Sequence, residues 1–408
     1  MKDYDVVLYG AGGFTGKQTV AYFAQHAPAD LRWALAGRHR DKLESARAES
    51  GERAHTADIL IADSQDQATV DAVVSRTRIV LNTAGPFALY GTPVVDACVR
   101  FGTHYVDITG ETPWVHDLIS RYHEQAGSAG TRLIPCCGFD SVPSDLGTLL
   151  MARHIHQAFG VACVEVRGYF QLSGGLNGGT IASLMNLLRS DTGSRPGGPF
   201  MLDPAIPHGP RQTERSRALR APRFDAEFGA WIGPFFMAPI NTRVVRRSAA
   251  LFAQWQEPYG PEFVYQEALK YDPPFARAKA WAGTGAIAAF YGAVKQPLTR
   301  RLVTPFLPTP GAGPSVQTMD RGWFTCEMLA IAEDGRQVRG VLSYPGDPGN
   351  RATTVLVCEA ALALAVDAGQ LPGGAHRGGV LTPATGLGQV LAGRLVRAGV
   401  TIDIGRPA

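Results

Sequence analysis

Asp5-Val6-Val7-Leu8-Tyr9 runs straight into Gly10-Ala11-Gly12-Gly13-Phe14-Thr15-Gly16, and the reading of this stretch decides the fold. A short apolar run bounded by glycines is a buried strand, and the amphipathic stretch Gly16–His26 that follows is a helix. Between them the spacing is GxGxxxG. Gly10 provides the tight turn, Gly12 leaves the backbone free for close approach of a ligand, and the first N–H groups of the helix supply positive potential. Strand, glycine turn and helix in this order make a phosphate-binding turn; a glycine turn without a ligand is the plainer alternative.

Downstream, short apolar runs alternate with helical patterns. Strands are expected at Arg32–Ala36, Thr56–Ile61, Ile79–Asn82, His104–Asp107 and Arg132–Pro135, with helices between, such as Thr92–Phe101. Repeated βαβ units of this kind form a parallel sheet of Rossmann type. Its ligand is a dinucleotide, held at the carboxyl ends of the strands.

The second strand leads into Ala36-Gly37-Arg38-His39-Arg40, where a carboxylate would be needed to hold a ribose 2′-hydroxyl. Arginine there can form a charge-assisted fork with a 2′-phosphate, so NADPH (NADP+) is expected, with Arg38 the leading contact and Lys42 or Arg40 in support. Asp63, after the third strand, borders the adenine or caps a helix. The fourth strand delivers Thr83, Ala84, Gly85 and Pro86 on a loop suited to pass under the nicotinamide ribose. With Gly10, Gly12, Gly13, Phe14, Thr15, Gly16 and Phe139, these form the expected cofactor set.

The remaining bulk properties exclude several classes. A chain of 408 residues, 45% hydrophobic and 18% charged, is long enough for two or three packed domains. A formal net charge of +3 does not suit a protein that binds nucleic acid by neutralising many phosphates. Six scattered cysteines with no CxxC pair suggest neither a disulfide framework nor zinc, and the ten histidines show no ligand spacing. The N-terminus lacks the flanks of a signal peptide, so a cytoplasmic location is expected.

The glycine turn, Ala36-Gly37-Arg38, Asn82-Thr83-Ala84-Gly85-Pro86-Phe87 followed by Tyr90-Gly91, His104–Glu111 and above all Gly138-Phe139-Asp140-Ser141-Val142-Pro143-Ser144-Asp145 together resemble the saccharopine dehydrogenase-like oxidoreductases, in the trans-acting enoyl reductase branch. Glycines over Gly174-Gly175-Leu176-Asn177-Gly178-Gly179-Thr180 end a strand, and the likeness continues through Gly178-Gly179-Thr180, Pro310–Ser315, Gly346–Gly349 and Leu381–Ala384. It implies an NADP-binding domain over 1–134, an inserted α/β domain with a mixed sheet over 135–350, and C-terminal helices over 351–408 that return to the first domain. It also implies an NADPH-dependent enoyl reductase acting on an acyl or lipid-like substrate. Two alternatives stay open: an imine reductase of saccharopine type, which needs cations for an amino-dicarboxylate, and a non-catalytic, lipid-associated protein that binds NADPH.

Reduction of C=C or C=N needs a proton source beside the hydride donor. Tyr90, Asp140 and Ser141 lie on loops at strand ends and are the candidates; packing of Tyr90 and a helix cap at Asp140–Ser141 are the alternatives. Cys136-Cys137 is read as buried packing, because neighbours in a strand point to opposite faces. From residue 199 to 301 the periodicity blurs, and fourteen Lys or Arg stand against eight Asp or Glu. Within it, Ala280–Val294 is uncharged with Arg277, Lys279, Lys295, Arg300 and Arg301 at its borders, too short to span a bilayer at roughly 20 residues. A buried core helix is the plainer reading; contact with a membrane or with an acyl carrier protein is the other. A homodimer is compatible with all of this.

Overall fold

A computed structural model describes residues 2–175, 177–189, 198–204, 208–309 and 311–407; Leu176 and Pro310, quoted above, lie outside them. The first sheet is built from β1 (Tyr4–Tyr9), β2 (Trp33–Gly37), β3 (Asp58–Ile61), β4 (Thr77–Asn82), β5 (His104–Asp107) and β6 (Arg132–Ile134), joined by helices α1 (Phe14–His26), α2 (Arg40–Glu49), α3 (Gln67–Val74), α4 (Phe87–Phe101) and α5 (Thr112–Ser128). The spatial order is β13-β6-β5-β4-β1-β2-β3, all parallel, and β13 (Gly379–Val380) comes from the far end of the chain. Alternation along each strand sorts the core into two layers. Val6 and Leu8 point to the side of α1, whereas Val7 and Tyr9 point to the side of α3 to α5.

The second sheet is mixed, in the order β14-β12-β11-β7-β10-β9-β8. Its strands are β7 (Cys163–Ser173), β8 (Arg223–Asp225), β9 (Ala230–Gly233), β10 (Val264–Tyr271), β11 (Trp323–Ala332), β12 (Gln337–Tyr344) and β14 (Thr401–Pro407). Only β7 and β10 pair in parallel. Helices α6 (Val142–Phe159), α7 (Gly178–Arg189), α8 (Pro210–Arg215), α9 (Ala238–Gln254), α10 (Ala276–Lys295), α11 (Pro297–Val303) and α12 (Val316–Arg321) belong to this half. The inner face packs on α6 so closely that a Cβ on Gly147 would meet Met328 Sδ at 2.5 Å. Burial here is continuous with the first sheet: Phe139, Val142 and Leu146 join one core that includes Val6, Phe170 and Met328.

Helix α13 (Thr353–Val366) returns to the first sheet, where Tyr22 Oη on α1 donates to Glu359 Oε1 at 2.7 Å. Arg394, on the last long helix (Gly388–Arg397), donates to Glu359 Oε2 at 2.6 Å and to Asp367 at 2.7 Å. The segment Pro348–Val366 is long and apolar enough to cross a membrane by composition, but it is 78% buried and serves as a core helix. Residues 351–408, read from sequence as returning helices, also supply two strands: β13 to the first sheet and β14 to the second. The expectation of a buried helix at 280–294 fails. In α10 only Ala280 and Val294 are buried, and Trp281 is 52% exposed.

Candidate functional site

The glycine turn has the shape its sequence requires. Gly10 takes a φ of +82°, which favours glycine, and a Cβ there would stand 2.8 Å from Ala84 N. Its N–H donates to Ala36 O at 2.8 Å, and Gly13 N–H returns to Gly10 O at 3.0 Å. Gly12 lies against α2, 2.9 Å from Lys42 Cβ were it to carry a Cβ, and Gly16 packs directly on Gly10 O. Gly13 caps α1 and no side chain satisfies the cap, so the first-turn N–H groups at Phe14 and Thr15 are left for an anion. Arg38 and Lys42 are exposed at the end of β2 and the start of α2. No carboxylate among the described residues pairs with Arg38. This cradle fits a dinucleotide with a 2′-phosphate.

Asp63, Thr83, Ala84, Gly85 and Pro86 lie along the same strand ends. Asp63 Oδ1 accepts Gln65 N at 3.0 Å, so it shapes a turn, and Tyr9 meets Ser64 Oγ beside it at 2.9 Å. Thr83 is tied to Tyr9 O through its N–H at 2.9 Å and its Oγ1 at 3.2 Å, and Ala84 N donates to Asn82 Oδ1 at 2.8 Å. Behind this loop a buried chain runs from Asn82 Nδ2 to Tyr105 Oη at 3.1 Å and from Tyr105 Oη to Asp107 Oδ2 at 2.9 Å. Burial pushes the Asp107 carboxyl up to about 7, against the opposing donation of Thr109 N and Cys136 N. The carboxylate of Glu111 caps α4 through Phe87 N and Ala88 N.

The three candidate proton donors separate. Asp140 is half-buried on the turn before α6, within 3.4 Å of where a Gly110 Cβ would be, and its carboxyl has no hydrogen-bond partner among the described residues. Burial raises it to about 6. Tyr90 is half-buried in the first turn of α4, its hydroxyl likewise without a described partner. Ser141 is fully buried, with Oγ 3.4 Å from Asn241 Oδ1, so it is a packing and positioning residue; the expectation that it meets substrate is corrected. Phe139, expected at the cofactor, is corrected too. Its ring is 4% exposed and packs on Phe324 at 4.9 Å and Phe170 at 6.1 Å, while its N–H donates to Thr353 Oγ1 at 3.1 Å.

Beneath that turn lies a network the sequence did not announce. Glu267 Oε1 accepts Asn241 Nδ2 at 2.8 Å, and Oε2 accepts Ser144 Oγ at 2.7 Å and Tyr265 Oη at 2.8 Å. Burial lifts this carboxyl to about 7. A second buried carboxyl, Asp145, accepts Ser248 Oγ at 2.5 Å and Ala384 N at 2.8 Å, and burial raises it to about 7. These groups fix α6 against α9 and the C-terminal segment, and so hold the Asp140 turn in place.

Loops of the second half pack over the glycine turn. Gly313 lies on the ring of Phe14, where any Cβ would overlap it, and Ala312 O accepts Gly178 N at 2.9 Å. Asn177 donates to Asn350 at 2.8 Å and Asn350 to Asp347 at 2.6 Å, which ties these loops to the start of α13. Helix α7 reaches the 83–86 loop: a Cβ on Gly85 would sit 3.6 Å from Ser183 Oγ. Asn177, Asn350 and Ser183 carry no local signature that could have marked them.

The profile of the saccharopine dehydrogenase NADP binding domain matches residues 6–134. A protein of Mycobacterium tuberculosis whose trans-acting enoyl reductase name is provisional is 39% identical, covering 100% of this chain and 99% of its own length. The trans-acting enoyl reductase of Mycobacterium bovis is 36% identical over 99% of this chain and 98% of that protein. Among solved structures, apo saccharopine dehydrogenase (L-Glu forming) of Saccharomyces cerevisiae aligns over 99% of this chain and 100% of its own with a TM-score of 0.54 and 13% identity, a likeness of fold.

Proposed function

Because the chain belongs to the saccharopine dehydrogenase-like oxidoreductases, in the trans-acting enoyl reductase branch, we propose that it reduces the C=C bond of an unsaturated acyl or lipid-like substrate. The protein is an NAD(P)-dependent oxidoreductase with NADPH as cofactor. Gly10, Gly12, Gly13 and the first turn of α1 hold the pyrophosphate, and Arg38 with Lys42 hold the 2′-phosphate. Bound NADPH supplies the hydride. Asp140 carries the balancing proton on its carboxyl, kept protonated up to about pH 6 by burial and unengaged by any described side chain. That unpartnered acid at the cleft is the observation that carries the reading.

Two of the three arginines of α9 favour an acyl substrate over an amino-dicarboxylate; the third, Arg243, donates to Gly198 O at 3.2 Å and to Thr112 Oγ1 at 2.8 Å. Arg246 donates to Ser216 O at 2.8 Å and Tyr265 O at 3.0 Å, and Arg247 donates to Val380 O at 2.6 Å and Leu202 O at 2.5 Å. Guanidinium groups committed to main-chain carbonyls are not free to clamp two carboxylates. The substrate reaches the enzyme from a carrier protein or a membrane, and the protein works in the cytoplasm. Oxidation of NADPH with a series of enoyl thioesters and with an imine of saccharopine type tests this. Turnover of enoyl substrates is expected; turnover of the imine alone overturns it.

A further inference from the structure

We infer that the consecutive helices α10 and α11 form a docking surface for an anionic lipid bilayer. The observation begins with charge. Between Asp272 and Asp320 the chain has no acidic residue, while Arg277, Lys279, Lys295, Arg300 and Arg301 all fall there. None of the five pairs with a carboxylate among the described residues; Arg277 instead lies over the ring of Trp231 at 5.6 Å.

The second observation is exposure. One edge of α10 is engaged: Ala280 is buried, Gly283 accommodates Tyr271, whose Oη would be 2.5 Å from a Cβ there, and Val294 packs with Ile181 and Met185 of α7. The opposite face carries Trp281, Ala282, Gly285, Ala288, Ala289 and Gly292, all exposed. A water-facing helix surface normally bears charge, yet between Lys279 and Lys295 there is none.

Exposed large apolar side chains flank and accompany this face in the chain. Phe275 is 79% exposed, Trp281 52%, Leu298 78% and Leu302 68%. These four are a third of the large hydrophobic residues exposed on the whole described surface, gathered between residues 275 and 302. Scattered single residues of this kind are ordinary, but a cluster with a cationic border marks an interaction surface. An uncharged helix face with an interfacial tryptophan, bulky side chains flanking it in the chain and basic residues at its rim matches a helix lying in the headgroup layer, buried roughly 5–10 Å deep. Anionic headgroups complement the five cations.

The position gives the surface a use. Helix α10 rests on α7 through Val294, Phe290, Ile181 and Met185, and α7 borders Gly85 at the 83–86 loop. A lipid leaving the bilayer beneath α10 is one helix away from the cleft. The docking itself does not rest on the proposed reaction, since vesicle binding needs neither cofactor nor turnover.

Sedimentation of the full chain with vesicles of phosphatidylcholine alone, and of phosphatidylcholine mixed with phosphatidylglycerol, tests the inference. Binding is expected only with the anionic vesicles and should weaken as salt rises. Leu298→Glu and Leu302→Glu, singly and combined with Trp281→Glu, should reduce partitioning by about tenfold or more while retaining NADPH binding. Because both leucines are exposed, the single variants keep the test valid if the triple variant fails to fold. No sedimentation with anionic vesicles, or sedimentation unchanged in the single variants, overturns the proposal. So does a concentration-dependent dimer, or binding of an acidic carrier protein, that is lost in these variants while vesicles bind none of them.

Discussion

Glu111 holds the backbone N–H of Phe87 at 2.8 Å, so a carboxylate from the loop after β5 closes the start of the helix that follows the 83–86 loop. Its second oxygen takes Ala88 N at 3.0 Å, and the side chain is 3% exposed. Glu111→Ala leaves both donors without their acceptor and should lower stability by about 1–3 kcal/mol, read from urea unfolding. The KM for NADPH should rise as the 83–86 loop loosens. An unchanged unfolding midpoint would show that water replaces the carboxylate.

Arg38→Ala should weaken NADPH by about ten- to a hundredfold, the loss of a charge-assisted fork worth roughly 1.5–3 kcal/mol, and leave NADH within a few-fold. Calorimetric titration of both nucleotides checks it; equal losses would move the 2′-phosphate contact elsewhere. Gly12→Val should abolish both, because a side chain there collides with α2 at Lys42 and displaces the turn that holds the pyrophosphate.

Asp140→Asn should lower kcat by about 10²- to 10⁴-fold. In the wild type the acid is present below its pKa of about 6, so kcat/KM should hold below that pH and fall above it. The asparagine variant should lose this limb. Should Tyr90→Phe cause the larger loss and keep the limb, the tyrosine is the donor; Ser141→Ala, whose hydroxyl is fully buried, should change kcat little.

Glu267→Gln should make stability less dependent on pH. The folded carboxyl is raised from 4.5 to about 7, so the folded state keeps a proton that the unfolded chain gives up first. Its contribution is therefore complete below about pH 4.5 and disappears as pH rises through 7, a swing of about 3 kcal/mol. Asn241 can turn its amide to meet the glutamine, which keeps the network satisfied. Unfolding of both proteins from pH 4 to 8 should show the wild type losing stability relative to the variant; parallel curves would contradict the raised pKa.

What the sequence revealed follows from where the physical demand is local. The inner strands β1 and β2 are apolar runs because both faces are covered, and Gly10 is visible because a φ of +82° needs glycine. Strand β10 was hidden: Gln266, Glu267 and Lys270 interrupt its pattern, and Glu267 is buried only because Ser144 and Asn241 meet it from two distant places in the chain, with Tyr265 of its own strand. Phe139 was misplaced because proximity to a site in sequence does not tell which way a ring points. For α10 the composition was read correctly and the burial wrongly, since exposure depends on which neighbours arrive, and on one face none does.

The late arrival of β13 and α13 has a bearing on how the protein is made. Strand β6 ends at Ile134, and its outer neighbour is Gly379–Val380; the apolar cover over Leu81 and Val106 includes α13 from residue 353 onward. A ribosome thus releases the nucleotide-gripping third with an open sheet edge and a bare flank, and finishes it only after some two hundred more residues have emerged. Nascent chains stalled in between are natural clients for chaperones, and a fragment ended near residue 134 is a poor choice for expressing the cofactor-binding unit alone.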